Sequence, residues 1–331
     1  MEALLSEMTQ RKEEAGEPIR TIYIGGGTPS TLMPDDIAQI IRATGAAPRA
    51  EEITMELNPG DATPEYMQAI RKAGINRLSI GIQSFQDNLL ALIGRRHNAR
   101  EAVEAVHMAK EAGLDNISVD LIYALPTQTM EQWKADIETA LSLHVQHISS
   151  YGLMYEEGTT LTRLRDEGRW TPVDEDTENA MYDYLCDRLA QAGWKHYEVS
   201  NFALPGYEAV HNSAYWDGTP YIGIGAGAHS YIGRVRSWNP DDLDAYINGI
   251  LARNLLRESE TLSERDSYNE RIMLGLRTAK GISKTEVRRD KDETILYFAR
   301  DGVLTITEEG RVVATRKGVH ILNRIIEDLM I

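Results

Sequence analysis

The chain has 331 residues, long enough for one large α/β domain with a smaller appendage. Its 35 basic and 51 acidic residues leave a net charge of −16 with no basic block, which removes the electrostatic source for binding a nucleic-acid backbone or an anionic lipid surface. The single cysteine, Cys186, excludes an internal disulfide, a Cys-x-x-Cys site, and a cysteine-ligated iron–sulfur cluster made by one copy of this chain.

No apolar run approaches a membrane span, and Met1–Glu14 is amphipathic rather than signal-like, so the expected location is the cytoplasm. The first predicted element is a helix with the apolar stripe Ala3, Leu4, Leu5 and Met8. In a βα architecture a strand precedes such a helix, so the pattern predicts a strand and loop upstream; a domain that opens on a helix is the plainer alternative. Strands follow at Thr21–Gly25, Ile53–Leu57, Arg77–Ile82, Asn116–Ile122 and Gln146–Leu153, each a short β-branched run. Between them the spacing predicts helices at Asp35–Ala43, Pro64–Ala73, Arg100–Ala112 and Met130–Leu143. Ala73-Gly74 and Ala112-Gly113 close two of these alike, each ahead of a strand. That repeated unit of helix, glycine cap and strand predicts a barrel more than a doubly wound sheet.

Beyond Trp170 the alternation stops. The spacing predicts a long helix over Asp174–Ala192, with Cys186 as a buried, inert thiol, then a strand at His196–Ser200 and an aromatic, glycine-rich stretch from Pro205 to Trp238. From about Glu260 the chain turns charged and helical, with two strands at Leu304–Ile306 and Arg311–Ala314 around Glu308-Glu309-Gly310 and a last helix over Lys317–Leu329. Residues 1–170, 171–259 and 260–331 are the expected domains: a barrel, its extension, and a helical, winged module whose acidity argues against DNA.

Gly25-Gly26-Gly27-Thr28-Pro29 directly follows a strand, where successive glycines let backbone groups approach a ligand. No Gly-Lys-Ser/Thr follows, and Ser30 stands where a dinucleotide fingerprint needs its third glycine, so neither phosphate-loop reading holds. Polar residues mark four other strand ends: Glu56, Gln83, Asp120 and Tyr151. Their convergence on one rim would serve a shared polar ligand, and mutual hydrogen bonding inside a barrel would explain them as well. Gly94-Arg95-Arg96-His97 supplies cations suited to a carboxylate, although alone it reads as a solvated helix end. His211-Asn212-Ser213-Ala214-Tyr215-Trp216 joins an imidazole to two aromatics, the axial nitrogen and flat apolar walls that an iron porphyrin needs. A histidine beside a tryptophan is still more often packing than ligation. Gly223 to Ser230 reads as a flexible backbone turn, since no βαβ context follows it.

Taken together, these segments resemble the HemN/HemW branch of the radical S-adenosylmethionine (SAM) superfamily, and within it the HemW-type haem chaperones, formerly described as oxygen-independent coproporphyrinogen III oxidase-like proteins. The resemblance rests on Ile24-Gly25-Gly26-Gly27-Thr28-Pro29, Glu56-Leu57-Asn58-Pro59, Gly81-Ile82-Gln83-Ser84-Phe85, Gly94-Arg95, Asp120-Leu121-Ile122-Tyr123-Ala124-Leu125-Pro126, Tyr197-Glu198-Val199-Ser200-Asn201-Phe202-Ala203 and His211-Asn212-x-x-Tyr215-Trp216. It implies a partial (β/α)6 barrel with SAM laid across the strand ends. Gly25, Gly26, Gly27 and Thr28 would then meet the methionine end, Arg95 its carboxylate, and Glu56, Gln83 and Asp120 the polar and ribose groups, with Tyr151 beside them. His211 would ligate haem iron, with Tyr215 and Trp216 as haem contacts.

The family's Cys-x-x-x-Cys-x-x-Cys run, which holds a [4Fe-4S] cluster, has no counterpart in this chain. Either this is a truncated version of a longer protein or a natural form without radical chemistry, and whether it is an enzyme stays open. The resemblance implies a chaperone that passes haem to acceptor proteins and carries a SAM site. A coproporphyrinogen III oxidase of porphyrin biosynthesis and a cluster-free SAM binder are the alternatives. Haem-acceptor proteins and SAM are the expected partners, nucleic acid and a membrane span are not, and a dimer is left open.

Overall fold

Side-chain alternation along five strands decides how the sheet is used. In the computed structural model, which describes residues 1–15, 18–46, 49–254 and 257–331, these are β1 (Thr21–Ile24), β2 (Glu52–Leu57), β3 (Arg77–Gln83), β4 (Asn116–Tyr123) and β5 (His147–Gly152). They lie side by side in chain order, and β6 (Lys195–Glu198) and β7 (Asn201–Ala203) extend the sheet as β5-β7-β6. No reversal of strand order occurs from β1 to β5. That is the winding of a partial barrel rather than of a doubly wound sheet.

The strands β2 to β5 are parallel, and their register puts Glu56 beside Ser79, Ser79 beside Ser118 and Ser118 beside His147. Two residues further on, Gly81 lies beside Asp120 and Asp120 beside Ser149. Residues two apart share a face, so one face is a polar layer. Met55, Leu57, Leu78, Ile80, Val119, Leu121 and Ile148 occupy the other and are fully buried, each contributing on the order of 1.5–3 kcal/mol. The helices Pro64–Ala73, Ala99–Glu111 and Met130–Ser142 bury Ile70, Val106, Trp133 and Ile137. Capping boxes of Asn98 with Glu101 and of Thr129 with Gln132 start the last two, each worth about 1 kcal/mol.

The chain divides into two compact units: Tyr23–Pro34 with Glu52–Ala209, and Met1–Ile22 with Asp35–Glu51 and Val210–Ile331. The first holds most of the sheet. The second carries two small antiparallel sheets, β8 (His229–Ile232), β9 (Val235–Trp238) and β10 (Glu258–Thr261) in the order β10-β9-β8, and β11 (Ile282–Ser283), β12 (Leu304–Ile306) and β13 (Arg311–Ala314) in the order β11-β13-β12. Its opening helix, Glu2–Gln10, buries Ala3 against Tyr246 and Ile250 of the helix Leu243–Leu251. Among the described residues no helix is long and apolar enough to cross a membrane.

Three local expectations change. The strand expected at His196–Ser200 is a hairpin, because the chain reverses after Glu198 and β7 pairs antiparallel with both β5 and β6. The last helix is two, Arg316–Val319 and Leu322–Leu329, with the first opened by the Thr315 side chain. Gly223 ends up tightly packed rather than loose, since a Cβ there would lie 2.1 Å from the His229 carbonyl oxygen.

Candidate functional site

At the end of β1 the backbone is stripped to glycine for reasons of space and conformation. A Cβ at Gly25 would sit 2.4 Å from Tyr23 Cε1 and 2.9 Å from Glu56 Oε1, whereas Gly26 (φ +84°) and Gly27 (φ +65°) adopt left-handed backbone and face open space. The Tyr23 hydroxyl donates to Glu56 Oε1 at 2.8 Å, and the Gly26 amide donates to Oε2 at 3.1 Å. Burial, followed by the Glu56 charge, pushes the Tyr23 phenol well up, so it stays a donor. Thr28 is exposed beside the glycines. Ser30, which follows the loop, donates to Asp61 Oδ2 at 2.6 Å.

The end of β3 is bulged: Gly81 pairs with Asp120 and Gln83 with Leu121, leaving Ile82 unpaired. Gln83 sits at φ +71°, a conformation that costs a non-glycine residue on the order of 1–3 kcal/mol. Its neighbours hold it there. The buried Asp136 accepts from Ser84 Oγ (2.7 Å), the Phe85 amide (2.9 Å) and Gln86 Nε2 (3.0 Å). On the other side, Arg95 Nη2 donates to the Gly81 carbonyl at 2.7 Å, and His97 Nε2 bonds the Ile82 carbonyl at 3.0 Å. Burial lowers the His97 pKa, so a neutral ring with its proton on Nε2 fits this bond. The Gly94–His97 loop is therefore not simply a solvated helix end: Arg95 is half-buried and clamps the bulge and His97 is buried, while Gly94 and Arg96 are exposed. Arg95 Nε is buried with no hydrogen-bond partner among the described residues.

Asp120 projects from β4 in the polar layer and accepts from Ser79 Oγ at 3.0 and 3.1 Å. Desolvation outweighs the Ser149, Ser79 and Arg77 contributions and pushes its carboxyl from the ordinary 3.8 up to about 6. A raised carboxyl pKa means that the folded state holds a proton the unfolded state has released. The associated stability is present below pH 3.8 and is lost as pH rises through about 6. Asp120→Asn is therefore expected to raise thermal stability at pH 8 by about 2 kcal/mol, a discount on the full shift for partial exposure, with the gain fading by pH 4. Melting curves at the two pH values check this, and equal gains at both would refute it. Behind Asp120, His147 is held between Ser118 Oγ and the Tyr197 hydroxyl, each at 2.7 Å, and burial keeps it neutral. Tyr151, at the end of β5, is 44% exposed.

Glu56, Gln83, Arg95, Asp120 and Tyr151 thus belong to one unit with Gly25 to Thr28, at the carboxyl ends of its strands. His211, Tyr215 and Trp216 belong to the other, on the helix Val210–Asp217. His211 Nδ1 bonds Thr21 Oγ1 at 2.8 Å, its Nε2 bonds the Tyr215 hydroxyl at 2.9 Å, and the two rings meet edge-on at 5.1 Å. Trp216 is half-buried. In the tautomer whose Nδ1–H donates to Thr21, Nε2 carries the lone pair.

Residues 1–140 match the Radical SAM superfamily model. Heme chaperone HemW of Lactococcus lactis subsp. lactis (strain IL1403) is 36% identical over 326 residues, spanning 95% of this chain and 86% of the relative. Heme chaperone HemW of Bacillus subtilis (strain 168) is 36% identical over 330 residues, spanning 98% and 87%. The chain belongs to the HemW family. The fold is that of coproporphyrinogen III oxidase (HemN) from Escherichia coli, described as a radical SAM enzyme, with a TM-score of 0.81 at 21% identity over 99% of this chain and 82% of that one.

Membership in this family implies SAM, haem and a [4Fe-4S] cluster, and the residues present fit them unequally. The glycine cradle, the carboxylates of Glu56 and Asp120, and the orphaned Arg95 Nε suit a ligand with an amine, hydroxyls and a carboxylate, as SAM has. Three thiolates for a cluster are not there, because the lone Cys186 is buried on the helix Glu175–Gln191. Tyr23, Ser79, Asp136 and Thr21 complete these sites and are not singled out by the sequence, whereas His97, expected there as a cation, is a neutral ring bonded to the Ile82 carbonyl. Only Ser79 carried a signal, a polar residue at the same parity as Glu56 and Asp120.

Proposed function

We propose that this chain is a cytoplasmic haem chaperone that binds haem through His211 and passes it to acceptor proteins, with a SAM site at the strand ends of the barrel. The observation that carries the reading is the seating of His211: one ring nitrogen is fixed on Thr21 Oγ1 and the other is offered beside Tyr215, the arrangement that orients an imidazole for an axial metal bond. The curated relatives carry the name haem chaperone. Tyr215 would turn away from Nε2 as iron arrives, and Trp216 would present a flat wall. In the barrel, Arg95 would hold the SAM carboxylate, Glu56 its amine, and Asp120 its ribose hydroxyls. SAM when bound supplies a sulfonium whose cleavage in this superfamily needs a cluster, for which the residues of this chain supply no set of thiolates. A haem titration followed by Soret absorbance tests the proposal: saturable binding is expected in the wild type and is lost at least tenfold in affinity in His211→Ala, about 1.4 kcal/mol or more. Unchanged affinity in the variant overturns it.

A further inference from the structure

In a chain of net charge −16, one groove of about 520 Å³ in the second unit is walled by four arginines, Arg234, Arg265, Arg271 and Arg288, together with Tyr231 and Tyr268. Tyr268 and Arg271 stand one turn apart on the helix Glu264–Leu276 and share a face with Ser267, so the helix lays a cation and a ring along the groove floor. The arginines are not equivalent. Arg234 gives Nε and Nη2 to the Leu262 carbonyl, and Arg288 pairs with Asp290 at 2.9 Å. Arg265 Nε is 4.0 Å from Asp266 at an exposed site, a weak pair, and Arg271 has no ion pair among the described residues. Glu264 and the terminal carboxylate of Ile331 are the acidic members of the wall, against four arginines.

A run of rings joins this groove to His211. The His211 and Tyr215 rings lie 5.1 Å apart, Tyr215 and Tyr221 4.7 Å, and Tyr221 and Tyr231 6.3 Å; Tyr231 is itself a wall of the groove. Tyr221 and Tyr231 are also bridged through their backbones, each amide donating to the other's carbonyl at 2.9 Å. All of these residues lie in one unit. An imidazole at one end, an aromatic path, and paired guanidinium groups at the other match the three parts of a haem: iron, flat apolar macrocycle, and two carboxylates on one edge. We infer that the groove takes the two propionates of the haem, and so sets which edge of the macrocycle faces the helix Glu264–Leu276. The inference rests on haem binding at His211 and adds the orientation of the ligand.

The test uses Arg265→Ala/Arg271→Ala, since among the described residues these two make no more than the weak Arg265–Asp266 pair, and two probes: haem, and haem with both propionates methyl-esterified. Soret titrations of the full chain are expected to show the double variant binding haem about ten- to thirtyfold more weakly. The wild type should bind the diester more weakly by a similar factor, and the variant should bind the diester no more weakly than the wild type does. Arg271→Lys should recover part of the loss. Equal haem affinity in wild type and double variant, together with equal affinity of the wild type for haem and diester, overturns the groove while leaving a loss in His211→Ala intact. A wild type with no saturable haem binding overturns both.

Discussion

Glu7→Ala is expected to destabilise the second unit by about 3–5 kcal/mol, because it removes the acceptor on which four buried donors converge. Glu7 is fully buried. It accepts from Arg11 Nη1 at 2.9 Å, the Gly225 amide at 2.9 Å, Asn239 Nδ2 at 2.7 Å and the Tyr246 hydroxyl at 2.6 Å. Alanine would leave these groups facing a cavity, and would leave Arg11, only 2% exposed, balanced by Glu14, Ser230 and the Gly223 carbonyl alone. Glu7→Gln keeps the shape and part of the acceptor capacity, so it should fall between. The control is Arg20→Ala, which breaks an ion pair with Glu51 whose side chains are 71% and 54% exposed; such pairs are worth at most about 1 kcal/mol. Thermal unfolding should show a drop of about 10 °C for Glu7→Ala and almost none for Arg20→Ala. Equal shifts would mean that the buried carboxylate does not hold the opening helix.

What was legible in the sequence follows from the range of the interactions involved. Strands β2 to β5 lie within about a residue of their expected limits because parity, glycine caps and capping boxes are local signals. The opening helix is legible from Ala3, Leu4, Leu5 and Met8, yet its most buried side chain is Glu7, and no apolar periodicity predicts a buried carboxylate three of whose four donors, Gly225, Asn239 and Tyr246, lie more than two hundred residues away. β8 to β10 escaped notice because their four-residue strands are mostly exposed and lack alternation. The rim residues Glu56, Gln83 and Asp120 could be read because a polar group in an apolar strand is costly. Their supports could not: Asp136 reaches Ser84 across 52 positions and Thr21 reaches His211 across 190. Mutual bonding accounts for two of the rim carboxylates, since Tyr23 satisfies Glu56 and Ser79 satisfies Asp120, while Arg95 Nε has no hydrogen-bond partner among the described residues.

Gly25→Ala carries the second large effect, and here the obstacle is space alone. Gly25 lies outside the left-handed region, so alanine meets no backbone penalty, but its methyl would overlap the Tyr23 ring at 2.4 Å and crowd Glu56 Oε1 at 2.9 Å. The ring must swing away, which breaks the hydroxyl bond to Glu56 and frees the carboxylate that would face the SAM amine. The expected result, by equilibrium dialysis with SAM, is an affinity about a hundredfold lower, or close to 2.7 kcal/mol, with a stability loss of about 1–3 kcal/mol from overpacking. Adding Tyr23→Ala separates the two effects. It removes the clashing ring and should restore stability, but it also removes the donor that aims Glu56, so SAM affinity should stay low. If the double variant regains affinity, the glycine matters only for packing and Tyr23 does not orient Glu56. If Gly25→Ala binds SAM as the wild type does, the loop after β1 is not where SAM sits.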